Sequence, residues 1–164
     1  ADYKLVHHAK NGRSVYSFCM CPGGTVVAAA SEEGRVVTNG MSQYSRNERN
    51  ANAGIVVGIT PEDYPGGPLA GIEFQREIER AAYRLGGSNY HAPAQLLSDF
   101  MAGRASTGQG TVKPSYEPGV IWTDLRECLP EYVIDTIKLA VPEIAKKLPG
   151  YHLDDAILTV GGGL

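Results

Sequence analysis

The chain has little of several things, and each scarcity removes a class of protein. Its 164 residues hold three cysteines, three phenylalanines and one tryptophan. An odd number of thiols, with Cys19 and Cys21 only two apart, is not a secreted disulfide framework. A reducing cytoplasm is therefore the expected compartment. Cations are not in excess: 15 Lys and Arg against 18 Asp and Glu leave a net charge of −3. That argues against a nucleic-acid surface, which needs clustered basic residues. No apolar run approaches the roughly 18 residues of a membrane span, and Ala1-Asp2-Tyr3-Lys4 does not resemble a signal peptide. Also missing are a Gly-x-Gly-x-x-Gly turn between strand and helix, a four-ligand zinc spacing and a Ser/His/Asp constellation. No metal site is expected.

What is present suits a packed, loop-rich domain: 43% hydrophobic and 20% charged residues, with 20 glycines and 10 prolines. Residues 3–8 and 15–20 read as strands, joined by an Asn11-Gly12 turn. Pro22-Gly23-Gly24 reads as a tight reversal. Residues 25–31 and 35–39 read as a hairpin, residues 39–52 as a polar loop and residues 54–60 as a buried strand. Helical spacing of Phe74, Ile78, Ala81, Ala82 and Leu85 predicts a helix over 69–85. A second helix is expected over 93–102, with Pro93 in its first turn, and a third over 129–148. Residues 103–116 read as a mobile loop, and 156–160 as a closing strand that returns to the first sheet. The expected fold is α+β: a small antiparallel or mixed β-sheet or barrel (residues 3–60 and 155–160) with a helical subdomain of about three helices (68–149), forming one domain over 1–164. Strands lie almost at both ends of the sequence, which suggests a piece of a longer protein.

The chemistry concentrates in Phe18-Cys19-Met20-Cys21-Pro22-Gly23-Gly24. Strict alternation puts Cys19 and Cys21 on the face of Val15 and Ser17, opposite Tyr16 and Phe18. Two thiols beside exposed backbone N–H groups suit a redox or substrate contact. Burial as small core residues and a soft-metal site are the alternatives. Pro22-Gly23-Gly24 reads either as a plain turn or as a cradle for an anion or a cofactor edge. Ser42 and Arg46, among asparagines, either brace a loop or recognise a carboxylate or phosphate. Gln75 and Glu79 lie four apart at the border of the first helix's apolar face, where a Gln contacts a ligand or simply marks the helix edge.

Taken in order, the segment 18–24, Val26-Val-Ala-Ala-Ala-Ser31, Val37-Thr-Asn-Gly-Met-Ser42, Asn50-Ala-Asn52, Pro68-Leu-Ala-Gly-Ile-Glu-Phe-Gln-Arg76 and Ala92-Pro-Ala-Gln95 resemble the bacterial family of uncharacterised FAD-dependent dehydrogenases, related to the broader NAD(FAD)-utilizing group. The resemblance spans residues 3–159. It implies the inserted, substrate-side domain of a larger flavoprotein, inactive alone, whose partner is the flavin-binding domain of the same protein. FAD would be bound mainly there, with NAD(P) a candidate reductant and the substrate an unidentified small molecule. It implies Cys19 and Cys21 as catalytic residues, Pro22, Gly23, Gly24, Asn39 and Gly40 as cofactor contacts, and Ser42, Arg46 and Gln75 as substrate contacts. The competing expectation is a non-catalytic docking domain with structural cysteines.

Overall fold

The computed structural model describes residues 5–160, except for the side chain of Cys19. The chain forms two sheets and three α-helices. The first sheet is antiparallel and contains β1 (Leu5–His8), β2 (Ser14–Ala28), β3 (Thr38–Ser42) and β4 (Asn50–Val57). The second is mixed and contains β5 (Ala92–Leu96), β6 (Val120–Trp122) and β7 (Ile157–Thr159). The helices are α1 (Ala70–Leu85), α2 (Leu97–Ala102) and α3 (Glu131–Lys147). The α+β class and the three helices stand as the sequence implies. Among the described residues no sheet closes into a barrel.

The long strand β2 organises the first sheet. Its first half pairs with β1 and its second half with β3, so these two share one edge in tandem. Strand β4 runs along the opposite edge. Val15, wholly buried, packs with Ala140 and Ile144 of α3, flanked by Leu5, Ile55, Val57 and Tyr151. Helix α3 therefore covers the Val15 and Ser17 face, where the Ser17 and Tyr151 hydroxyls meet at 2.9 Å. A second, larger core gathers Val36, Ala82, Ala92, Phe100, Leu125 and Val141 between the helices and the second sheet.

Several expectations are corrected. The chain does not reverse at Pro22-Gly23-Gly24 but continues as one strand from Ser14 to Ala28. Two bulges absorb this segment: Phe18 opposes Gly54, Cys21 opposes Asn52 and Gly24 opposes Asn50, so each step spends three residues of β2 on two of β4. Gly23 supplies a left-handed φ of 53° there. The expected hairpin of residues 25–31 and 35–39 does form: its reversal spans residues 29–37 and is closed by the Ala29 N–H donating to the Val37 carbonyl at 2.9 Å. The polar loop shrinks to residues 43–49, because Asn39 to Ser42 and Asn50 to Asn52 are strand.

The expected helix over 93–102 is a buried strand followed by a short helix. Proline is tolerated in this central strand for a local reason. Ala92 and Ala94 make the backbone bonds to the β6 side, and the ladder to β7 begins only at Ala94, so no partner needs an N–H from Pro93. The closing strand pairs with β5, not with the first sheet. The stretch treated as wholly helical, 68–149, thus contains two strands of the second sheet.

The Gly/Ser/Thr-rich segment 103–119 is held at many points. Ser106 Oγ accepts from the Leu96 N–H at 2.8 Å and donates to Asp99 at 2.7 Å. Thr111 binds Asp155 through its hydroxyl and its N–H. Ser115 Oγ accepts from the Val26 N–H at 2.9 Å, and the Tyr116 hydroxyl donates to the Tyr90 carbonyl at 2.9 Å.

Candidate functional site

Directly opposed residues in a ladder share a face, and a one-residue slip sends a side chain to the other face. The bulges in β2 have that consequence. Gly54, Asn52 and Asn50 lie two apart along β4 and point the same way, so their partners Phe18, Cys21 and Gly24 do too. Cys21 therefore shares the Tyr16 and Phe18 face, not that of Val15 and Ser17. This reverses the prediction from alternation, because each bulge adds one residue. The same registers place Ser42 opposite Gly24 and Gly40 opposite Val26, on the same side.

The result is a small polar notch between β3 and β4. Cys21 is half-buried with a free thiol. Gly24 and Gly40 leave room into which their neighbours close. A side chain on Gly40 would collide with Asn52 Oδ1, and one on Gly24 with the Met41 carbonyl. A side chain on Gly23 would strike the Arg46 carbonyl. Asn52 spans the notch, its Nδ2 donating to the Thr25 carbonyl at 3.4 Å. Its Oδ1 is buried without a hydrogen-bond partner among the described residues, which is uncommon in a folded chain. The Ser42 hydroxyl donates to the Pro22 carbonyl at 3.0 Å.

The remaining predicted residues fall in different places. Pro22 is exposed on the bulge. Asn39 is exposed and its Oδ1 accepts from the Gly40 N–H at 2.9 Å. Arg46 sits at the tip of the 43–49 loop with a φ of 52° and an exposed side chain. Gln75 is on α1, where its amide donates to Glu79 at 3.2 Å on the same helix. The side chain of Cys19 lies outside the described residues. Cys21, Gly24, Gly40 and Ser42 are thus brought together, with Gly23 and Arg46 at the margin. The sequence marks the notch's central residue, Asn52, only as one amide of the polar loop and of the family-like Asn50-Ala-Asn52; its place facing two glycines across strands has no local signature.

The third thiol is of a different kind. Cys128 is buried in the larger core, and burial pushes its pKa up to about 12. It is a packing residue. No group of three or more His, Cys, Asp or Glu able to hold a metal occurs among the described residues. No helix among them is long and apolar enough to cross a membrane. A shallow cavity of about 390 Å³ lies elsewhere, between the 29–37 reversal, Tyr90 and Tyr116.

The notch itself does not fit the pyrophosphate of FAD. The glycines of the notch are filled by the chain's own Asn52, Met41 and Arg46 rather than left as a phosphate cradle. What the notch does form is one wall, carrying a thiol, a hydroxyl and an amide on a single sheet face. The fold and the wall together define the class only coarsely: a two-sheet α+β domain with a polar face on its first sheet.

Comparison with known proteins defines that class further. The family described as FAD-dependent protein, C-terminal domain-like, matches residues 1–161, and the chain belongs to it. The chain is also 55% identical over 161 residues to an uncharacterized protein of Clostridium beijerinckii. That match covers 97% of this chain but 30% of the relative's length. The family description is of a C-terminal domain, where the sequence resemblance implied an inserted one.

Proposed function

We propose that this domain forms the substrate-side wall of a FAD-dependent oxidoreductase and is inactive alone. The observation that carries this reading is the bulge-driven gathering of Cys21, Ser42 and Asn52 over Gly24 and Gly40 on one face, in a chain of a FAD-dependent family. The flavin, held by another domain, supplies the electron chemistry when bound. This chain's own residues supply position and polarity. Cys21 presents a thiol to the shared cavity, and Cys19 is its neighbour on the bulged strand. Ser42 and Asn52 offer fixed hydrogen-bonding groups. Arg46, exposed and without an ion pair among the described residues, offers a positive charge to a substrate carboxylate or phosphate. Pro22, Gly23, Asn39 and Gly40 shape the wall against the cofactor edge. Gln75 joins this set only if the substrate reaches α1.

The test uses the full-length flavoprotein. In Cys21→Ser the absorption spectrum and midpoint potential of the bound flavin shift, because a thiol beside the ring contributes to its environment. Spectrum and potential that superimpose on wild type in both Cys21→Ser and Cys19→Ser would leave a docking domain with structural cysteines as the better reading.

A further inference from the structure

The cavity between the 29–37 reversal and the two tyrosines stands apart from the notch. It lies at the Ala28 and Thr38 end of the β2–β3 pairing, whereas Gly24 and Ser42 mark the other end. Its volume of about 390 Å³ falls within the roughly 300–1,000 Å³ of small-molecule clefts. The frame is tied from several sides. The Val36 N–H donates to the Glu79 carbonyl of α1 at 3.2 Å, and the Gly34 N–H donates to the Tyr90 hydroxyl at 3.2 Å. The Tyr90 carbonyl accepts from the Tyr116 hydroxyl, and the Tyr83 ring meets Tyr90 edge-on at 5.0 Å. Tyr90 has a φ of 68°, a left-handed conformation that a bulky residue rarely adopts. Strain of this kind collects at ligand-binding positions, and here the bonds to both its hydroxyl and its carbonyl hold Tyr90 in it.

Arg35 is the unfinished part of the lining. Its side chain is 12% exposed. Its Nε is buried with no hydrogen-bond partner among the described residues, and its Nη1 lies beside the Glu32 carboxylate as an ion pair outside hydrogen-bond geometry. Glu32 is also shared with Arg76 of α1. Buried N–H groups are ordinarily paired, and more so on a charged side chain, so Arg35 lacks an acceptor. The charges around it decide which acceptor fits. Glu32 and Glu33 both line the cavity beside the one guanidinium, so a phosphate dianion would be repelled. A carboxylate that also carries an ammonium satisfies both signs. The rest of the lining is apolar or aromatic, with Val36 and Tyr116 buried beneath and Tyr90 half-open at the side.

We propose that this cavity binds a small zwitterion, an α-amino acid with an aromatic side chain, its carboxylate on Arg35, its ammonium on Glu33 and its ring against Tyr90. The site is independent of the notch and of any flavin.

The test is calorimetric titration of the full-length, FAD-loaded protein with L-phenylalanine and with its two halves. Phenylalanine should bind. Phenylpropionate, which lacks the ammonium, and phenethylamine, which lacks the carboxylate, should each bind at least about tenfold more weakly. Inorganic phosphate should not displace phenylalanine. Two variants locate the binding. Arg35→Lys keeps the charge but loses the planar fork, and should weaken phenylalanine at least about tenfold. Ala30→Trp, at an exposed position on the cavity rim, should block the site by filling it, and it carries the test if Arg35→Lys does not fold. Glu33→Gln should lower the affinity for phenylalanine to that for phenylpropionate. Absence of phenylalanine binding, equal affinity for the three probes, displacement by phosphate, or binding that survives Arg35→Lys and Ala30→Trp each overturns the proposal.

Discussion

Asp63 shows how single residues hold this fold together. Its carboxylate receives both arms of the Arg13 guanidinium, at 2.7 and 2.6 Å, and the Thr60 N–H at 2.8 Å. The Arg13 hydrogen bonds come first among the causes that hold its pKa at about 2. A carboxyl whose pKa is depressed by folding contributes stability above its unfolded value of about 3.9, and that contribution is lost as pH falls towards the folded value. Thermal melts should therefore drop between pH 4 and about 2 in the wild type. Asp63→Asn should be less stable at pH 7 and should show a shallower loss over that window; parallel curves would refute the assignment. Gln95 acts in the same way inside the core. It is 1% exposed, donates to the Arg104 carbonyl at 2.7 Å and accepts from the Leu125 N–H at 3.0 Å. Gln95→Ala strands both backbone groups, and denaturant titration should show a loss of about 2–4 kcal/mol. The sequence marks Gln95 within a family-like segment but cannot show these partners, which lie 9 and 30 residues away.

At the scale of elements, legibility follows the range of the signal. Helices α1 and α3 were readable because one apolar face repeats at 3.6 residues, a local pattern. The bulged strand was not. Pro-Gly-Gly carries the composition of a turn, and only the cross-strand registers reveal that its spare residues are absorbed sideways. The same holds for β5, where a proline looks like a helix start until the pairing of its neighbours is known. The bulge makes a prediction of its own. Gly23→Ala places a side chain at a φ of 53° and against the Arg46 carbonyl, so it should cost at least about 1–3 kcal/mol. Chemical denaturation checks this, with Gly54→Ala as the neutral comparison because that position is open. Equal stability of the two variants would mean that the bulge relaxes around Gly23.

For the whole molecule, the charge balance and cysteine count narrowed the classes, and the ordered segments pointed to the family. Neither could show that Cys21 changes faces, nor that the last strand joins a second sheet, since both depend on contacts distant in sequence. Under the proposed function the domain is half of a site: a wall with a thiol and fixed polar groups, completed by a flavin that another domain holds. The central claim, that this wall faces bound flavin, is tested most directly by peptide-resolved alkylation of Cys21 in the full-length protein with FAD present and with FAD removed. The account predicts slow modification when FAD is bound and a several-fold faster reaction in the apoprotein, while Cys128, buried with its pKa at about 12, stays unmodified in both. Equal Cys21 rates in the two states would contradict it.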